Sequence, residues 1–253
     1  MLIDTHCHLD AAEFDADRAA VHAAARAAGV ARLVVPAVEH AGFAKTRETV
    51  AHYDGCVAAY GIHPLYVMQA TESDLDALRQ WLIRERPVAL GEIGLDLYVS
   101  DSDPQRQEFF FVEQLKLARE FDLPVLLHVR RAVDPVLKQL RRHRVRGGIA
   151  HAFNGSRQQA DEFIKLGFAL GFGGAMTFSG STRIRALAAE LPLESIVLET
   201  DAPDIPPAWL NGGRNAPAEL PRIAAVLAEL RGLTCSEVAL ATSSNAQRLL
   251  SCI

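Results

Sequence analysis

The chain has 253 residues, 49% of them hydrophobic, with a formal net charge of −5. That length suits one α/β barrel or two small domains, and no Gly/Ser tract, Pro-rich run or long single-sign block offers a linker, so a single domain is expected over 1–253. The charge argues against a protein that coats duplex DNA through a broad basic surface, and no apolar run reaches the roughly 18 residues of a membrane span. An enzyme that draws one nucleic-acid end into a metal pocket stays open, because cations there supply the positive charge. The chain begins MLIDTH without a secretory pattern, and Cys7, Cys56, Cys235 and Cys252 form no CxxC pair. Reduced thiols and a cytoplasmic location are therefore expected, with no membrane association and no obligatory protein partner.

Short β-branched or apolar runs alternate with Ala/Leu-rich helical periods. In chain order, a strand over 1–4 precedes a helix over 17–28, and 32–36 precedes 42–52. The pattern repeats as 57–60 with 74–85, 88–92 with 104–121, and 125–128 with 133–143. It continues as 148–151 with 157–166 and 168–172 with 184–191; a strand at 196–200 then leads to helices over 217–231, 236–241 and 245–250. Strand–helix alternation implies parallel strands joined by right-handed crossovers. Eight such units match a (β/α)8 TIM barrel, whose reactive groups gather at the C-terminal ends of the strands. The rival, an open doubly wound sheet, normally carries a Gly-rich phosphate loop after its first strand; DTHCHLD at that point has no glycine.

Polar residues close several of these strands: His6 and His8 after the first, Glu92 after the fourth, His128 after the fifth, His151 after the sixth, Asp201 after the eighth. Each alone has a bland reading, such as a loop polar, a helix cap or a hydrogen-bonded core histidine. Together they occupy equivalent positions, which a barrel would gather at one mouth. Alternation along the strand puts His6 and His8 on one side and turns Cys7 to the other, where a packed thiol is expected. Mixed imidazole and carboxylate donors suit Zn²⁺, Mn²⁺ or Mg²⁺-like ions, and six of them exceed one tetrahedral site, so two divalent metal ions are expected with one carboxylate bridging. Asp201 is assigned as acceptor of the water proton. Asp4 and Glu199 share parity with His6 and Asp201 and are expected just beneath the site, orienting ligands. His63, Arg130 and, on the loop after the last strand, Arg214 are candidates for holding a substrate phosphate. The basic stretch RRHRVR at 141–146 ends the helix leading into the sixth strand, so it falls at the opposite face. Phe109, Phe110 and Phe111 are read as packing residues.

IDTHCHLD, GIHP at 61–64, GEIGLD at 91–96, QLKLAREFDLPVLLHVRRA, AHAFNGS at 150–156, LETDAP at 198–203, NGGRNAP at 211–217 and SSNAQRLL together resemble the TatD family of metal-dependent hydrolases, within the amidohydrolase-like barrels. The resemblance covers nearly the whole chain in order. It implies that His6 and His8 bind one ion, that His128 and His151 bind the second, that Glu92 bridges in place of a carbamylated lysine, and that Asp201 completes the site. The activity it implies is metal-dependent deoxyribonuclease trimming DNA from the 3′ end. The family commonly has serine after the strand-five histidine; here the residue is Val129, expected to point away from the metals. Two other readings of the same ligand set are a hydrolase of a small ester, lactone or amide, and a non-catalytic metal-binding scaffold.

Overall fold

The computed structural model describes residues 1–100 and 102–250; Cys252 lies outside them. Eight strands, β1 (Leu2–Asp4), β2 (Val30–Pro36), β3 (Cys56–Tyr60), β4 (Ala89–Asp96), β5 (Val125–Arg130), β6 (Gly148–Ala150), β7 (Phe168–Phe172) and β8 (Ile196–Leu198), pair in parallel in sequence order. Helices α1 (Arg18–Ala27), α2 (Phe43–His52), α3 (Glu72–Glu85), α4 (Pro104–Glu120), α5 (Val133–Arg142), α6 (Arg157–Lys165) and α7 (Thr182–Glu190) alternate with them, and α8 (Leu220–Arg231) and α9 (Cys235–Leu249) follow β8. This is the (β/α)8 TIM barrel. The ring closes where the chain beyond β1 meets the chain beyond β8: the N–H of Thr5 donates to the Leu198 carbonyl (3.1 Å), that of Asp201 to His6 (2.8 Å) and that of His8 to Ala202 (2.8 Å).

Local chemistry explains the helix ends. Asp103 caps α4, accepting from the N–H groups of Gln105 and Arg106, with Pro104 at the first helical position, where its missing N–H costs nothing. Ser156 and Gln159 form a capping box on α6, as Thr234 and Glu237 do on α9, and Gly232 ends α8 in a left-handed conformation. The two short helices predicted at 236–241 and 245–250 are one helix. Ser243 and Ser244 are tolerated in its interior, and Asn245 bonds outward to the carbonyls of Leu193 and Ile196, both at 2.8 Å.

The barrel interior at the end away from the mouth is a small aliphatic cluster with one residue from each strand: Ile3, Val34, Ala59, Ala89, Leu126, Ile149, Ala169 and Val197. Ala246, Leu249 and Leu250 of the α9 region pack beneath it as a floor. The larger core lies between strands and helices and includes Cys7. Cys7, Cys56 and Cys235 are free thiols, and among the described residues no helix is long and apolar enough to cross a membrane.

Candidate metal centre

Strict alternation does not by itself deliver the site. Ile3 faces the barrel interior, which would give its phase to Thr5 and Cys7. Regular β1 ends at Asp4, however, and the closing bonds to β8 reset the chain so that His6 and His8 meet Asp201. On β4 a register irregularity between Leu90 and Ile93 makes the same correction for Glu92. From there Glu92, Gly94 and Asp96 share a side at intervals of two. After β5, β6 and β8 the chain turns through left-handed residues, Arg131 (φ 53°), Ala152 (φ 44°) and Asp201 itself (φ 57°). Non-glycine residues seldom take that conformation, and here it turns the chain away from the mouth at each strand end.

Glu92 sits at the centre, 2% exposed, with its two oxygens facing two groups of imidazoles. Oε2 lies 3.1 Å from His6 Nε2 and 3.7 Å from His8 Nε2; Asp201 Oδ1 is 3.6 Å from each of the same nitrogens. Oε1 lies 2.9 Å from His128 Nδ1, 3.0 Å from His151 Nε2 and 3.5 Å from His63 Nε2.

Where the outer contact of a ring is to a backbone carbonyl, it shows which nitrogen carries the proton in the neutral form. His8 Nδ1 is 3.2 Å from the Pro36 carbonyl, an acceptor only, so the lone pair is on Nε2 and points at two carboxylate oxygens. His128 has a carboxylate at each nitrogen, Asp96 Oδ2 at 3.0 Å from Nε2 and Glu92 Oε1 at 2.9 Å from Nδ1; burial opposes charge on the ring, yet these two contacts raise its affinity for protons. A lone pair aimed at a carboxylate is repulsive unless a proton or a cation lies between them. His6 and His151 add buried Nδ1 atoms without a hydrogen-bond partner among the described residues. Three clusters here have donor atoms spaced to hold an ion: His6, Glu92 and His151; His6, His8 and Asp201; His63, Glu92 and His128. The residues therefore fit divalent cations. Distance alone admits His63 to that set, but its bonding does not. His63 Nδ1 accepts from the Leu65 N–H at 3.1 Å, so Nε2 bears hydrogen and faces the centre as a donor.

Charge balance agrees. Burial alone would raise the Glu92 carboxyl, yet His151, His6, His63 and His128 hold it well below the ordinary range. Burial pulls His6 down to about 3, reinforced by His151, whose ring stacks on it at 4.0 Å. Burial also opposes charge on His151, but Glu92 and Asp201 outweigh it and raise that ring well above normal. Asp201 is lifted to about 6 by burial, against the pull of His151 and His8.

Around this set, Glu199 accepts from the Ala152 N–H, and its Oε1 lies 3.7 Å from His151 Nδ1, a charge contact beyond hydrogen-bond distance. Gly171 is required beside it, since a Cβ there would meet Glu199 Oε2 at 2.1 Å. Asp4 does something different from the orienting role expected of it. It ties the barrel seam, accepting from Thr200 N at 3.0 Å, Thr200 Oγ1 at 2.6 Å and, weakly, the His6 N–H at 3.3 Å; burial pushes it up to about 8. Arg130, with a side chain 51% exposed, lies on the rim 3.9 Å from Asp96, beside a cleft of about 1250 Å³ that opens onto the centre and whose wall includes Val129. Arg214 departs from its expected role as a phosphate holder. Its guanidinium is clasped by both Asp17 oxygens (2.9 and 2.6 Å) and the Glu13 carbonyl (2.6 Å), stacked near Phe14, and it does not line the cleft.

Three residues of the arrangement escape a reading based on strand ends. Asp96 holds His128, and its position four residues beyond Glu92 on the same strand was the signal. Gln107 and Gln114, two turns apart on α4, carry fully buried amides that pair with strand-end backbone. Gln107 accepts from the Asp96 N–H (2.9 Å) and donates to its carbonyl (3.0 Å); Gln114 does the same for Ile62, next to His63 (2.7 and 3.0 Å). No sequence signal distinguishes these glutamines from surface ones.

Comparison with known proteins agrees with this geometry. The family model described as TatD related DNase matches residues 3–251. The uncharacterized metal-dependent hydrolase YjjV of Escherichia coli K12 is 42% identical over 250 residues, covering 98% of this chain and 96% of the relative. Its crystal structure superimposes with a TM-score of 0.96, covering 100% of this chain and 98% of that one. The protein of Klebsiella pneumoniae strain 342 named 3′-5′ ssDNA/RNA exonuclease TatD is 33% identical over 255 residues, 98% of this chain and 97% of its own. With barrel, site and whole-length similarity in agreement, the chain belongs to the TatD-related DNase family of metal-dependent hydrolases.

Proposed function

We propose that the protein is a two-metal phosphodiesterase that removes nucleotides from the 3′ end of DNA. The observation that carries this reading is the division of Glu92, one oxygen toward His6 and His8 and the other toward His128 and His151. It suits a bridging carboxylate, and the similarity to a relative named as an exonuclease supports the choice of substrate. Divalent ions bound there supply positive charge to the scissile phosphate and its attacking and leaving oxygens. The residues do the rest. Asp201, at the edge of the cleft, accepts the proton of the attacking water, a role suited to a carboxyl whose affinity for protons burial has raised. His63 presents its Nε2–H to the reacting phosphate, and Arg130 holds a non-bridging oxygen. Asp96 and Glu199 keep His128 and His151 in orientation.

The test is incubation of purified protein with Mn²⁺ or Mg²⁺ and 5′-labelled single-stranded DNA. A ladder of products shortened from the 3′ end is expected, absent for Asp201→Ala. A preparation that hydrolyses chromogenic carboxylic esters or lactones but leaves DNA at the Asp201→Ala level would replace this reading with a small-ester hydrolase.

A further inference from the structure

The cleft is unevenly charged around its rim. Beyond β5 and β7 stand Arg130, Arg131 and Arg183. Arg183 donates both Nε and an Nη to the neutral Asn154 Oδ1 (3.2 and 2.6 Å), and Arg131 lies 4.5 Å from the ring centroid of Tyr98, which Arg130 also covers at 3.9 Å. Neither Arg131 nor Arg183 has an acidic partner among the described residues. Among the described residues that line the cleft on this arc the carboxylate is Asp96, already committed to His128 and to the Tyr98 N–H. Beyond β8 and β1 the sign reverses. Among the described residues, Asp10, Glu13 and Asp204 line the same cleft with no cationic side chain paired to their carboxylates, and Lys45, which also lines it, is engaged by Asp15 at 3.0 Å.

We propose that Arg131 and Arg183, with the Tyr98 ring, form a second anion subsite that takes the phosphate adjacent to the scissile one, and that Asp10, Glu13 and Asp204 deny the opposite arc to phosphate. Guanidinium forks match phosphate oxygens in a bidentate manner, and an aromatic face steadies both the guanidinium and a stacked base. The left-handed backbone at Arg131 (φ 53°) is a conformation arginine seldom adopts, and it sets that side chain beside Tyr98 at the mouth. Salt screens exposed charges over about 8 Å at physiological strength, so each arc acts on phosphates that lie beside it rather than across the whole cleft. The anionic chain therefore leaves the metal centre in one direction, over β5 to β7. The inference rests on the phosphodiesterase reading.

The experiment compares kcat/KM for bis(4-nitrophenyl) phosphate, which has one phosphate, with that for the single-stranded decamer (dT)10. The ratio of decamer to diester efficiency is expected to fall about tenfold in Arg131→Ala and in Arg183→Ala, through the KM for the decamer. The slope of log KM for (dT)10 against log salt should shrink by roughly 0.7 for each arginine removed. Asp204→Lys should lower the KM for (dT)10 and leave the diester less affected. Both arginines are on the surface, and thermal melts identify any variant that fails to fold; the gain from Asp204→Lys is a readout that misfolding cannot mimic. Arginine variants whose efficiency ratio and salt slope match wild type, or that lose both substrates equally, would overturn the subsite while the nuclease reading stands. A wild-type protein that cleaves neither phosphodiester would overturn the proposed function, and the subsite with it.

Discussion

Asp96 shows how much of the centre depends on a side chain outside the candidate ligand set. Its Oδ2 holds His128 Nε2 at 3.0 Å, and a proton kept on Nε2 by that contact frees Nδ1, which faces Glu92 at 2.9 Å, to take an ion. Asp96→Asn keeps the shape and removes the charge that makes the imidazole a strong donor. The expected result is 10- to 100-fold weaker Mn²⁺ or Zn²⁺ binding by calorimetry, with little change in the melting temperature of metal-free protein. Arg214 makes the converse case, a motif residue with a structural partner. Its contact holds the Asp17 carboxyl below the ordinary range. An acid whose folded pKa is depressed contributes stability above its unfolded value, and loses that contribution as pH falls through the folded one. Asp17→Asn should therefore melt below wild type at pH 7, with the gap closing under pH 4; a gap independent of pH would mean the clasp is not electrostatic. The residues at strand ends were legible because apolar runs stop abruptly at them. Asp96 lay inside a strand longer than its apolar run predicted, and Arg214 was misassigned because a loop sequence does not reveal its ion-pair partner 197 positions away.

At the level of elements, α4 does more than cover β4. Gln107 and Gln114 act as a substitute strand, meeting backbone groups that the sheet leaves open at the mouth. Replacing either with alanine strands a buried N–H and a C=O, and a loss of about 1–3 kcal/mol in urea denaturation is expected. Gln107→Ala should also loosen metal binding through Asp96; equal metal affinity in wild type and variant would confine its role to stability. The strands were readable from hydrophobic pattern and length, with starts within two residues. Harder to read were the phase shifts that aim His6, His8 and Glu92. These come from the closing hydrogen bonds between β1 and β8 and from the irregularity in β4, both products of tertiary pairing rather than local composition.

For the molecule as a whole, stability and metal loading are one equilibrium. The His8 lone pair facing two carboxylates favours a cation between them, and an ion that binds the folded chain alone raises stability by about 2.7 kcal/mol at one hundred times its Kd. Mn²⁺ or Zn²⁺ should raise the melting temperature, EDTA should reverse the rise, and Glu92→Gln should remove most of it. Melts that ignore both metal and chelator would sink the metal-centre reading. The floor of the barrel adds a final constraint. One aliphatic side chain from each strand, sealed from below by Ala246, Leu249 and Leu250, leaves no passage along the axis. Traffic is thus two-way through a single doorway: whatever is released must back out along the route the next molecule uses to arrive, and a lingering product will obstruct turnover by competing for entry.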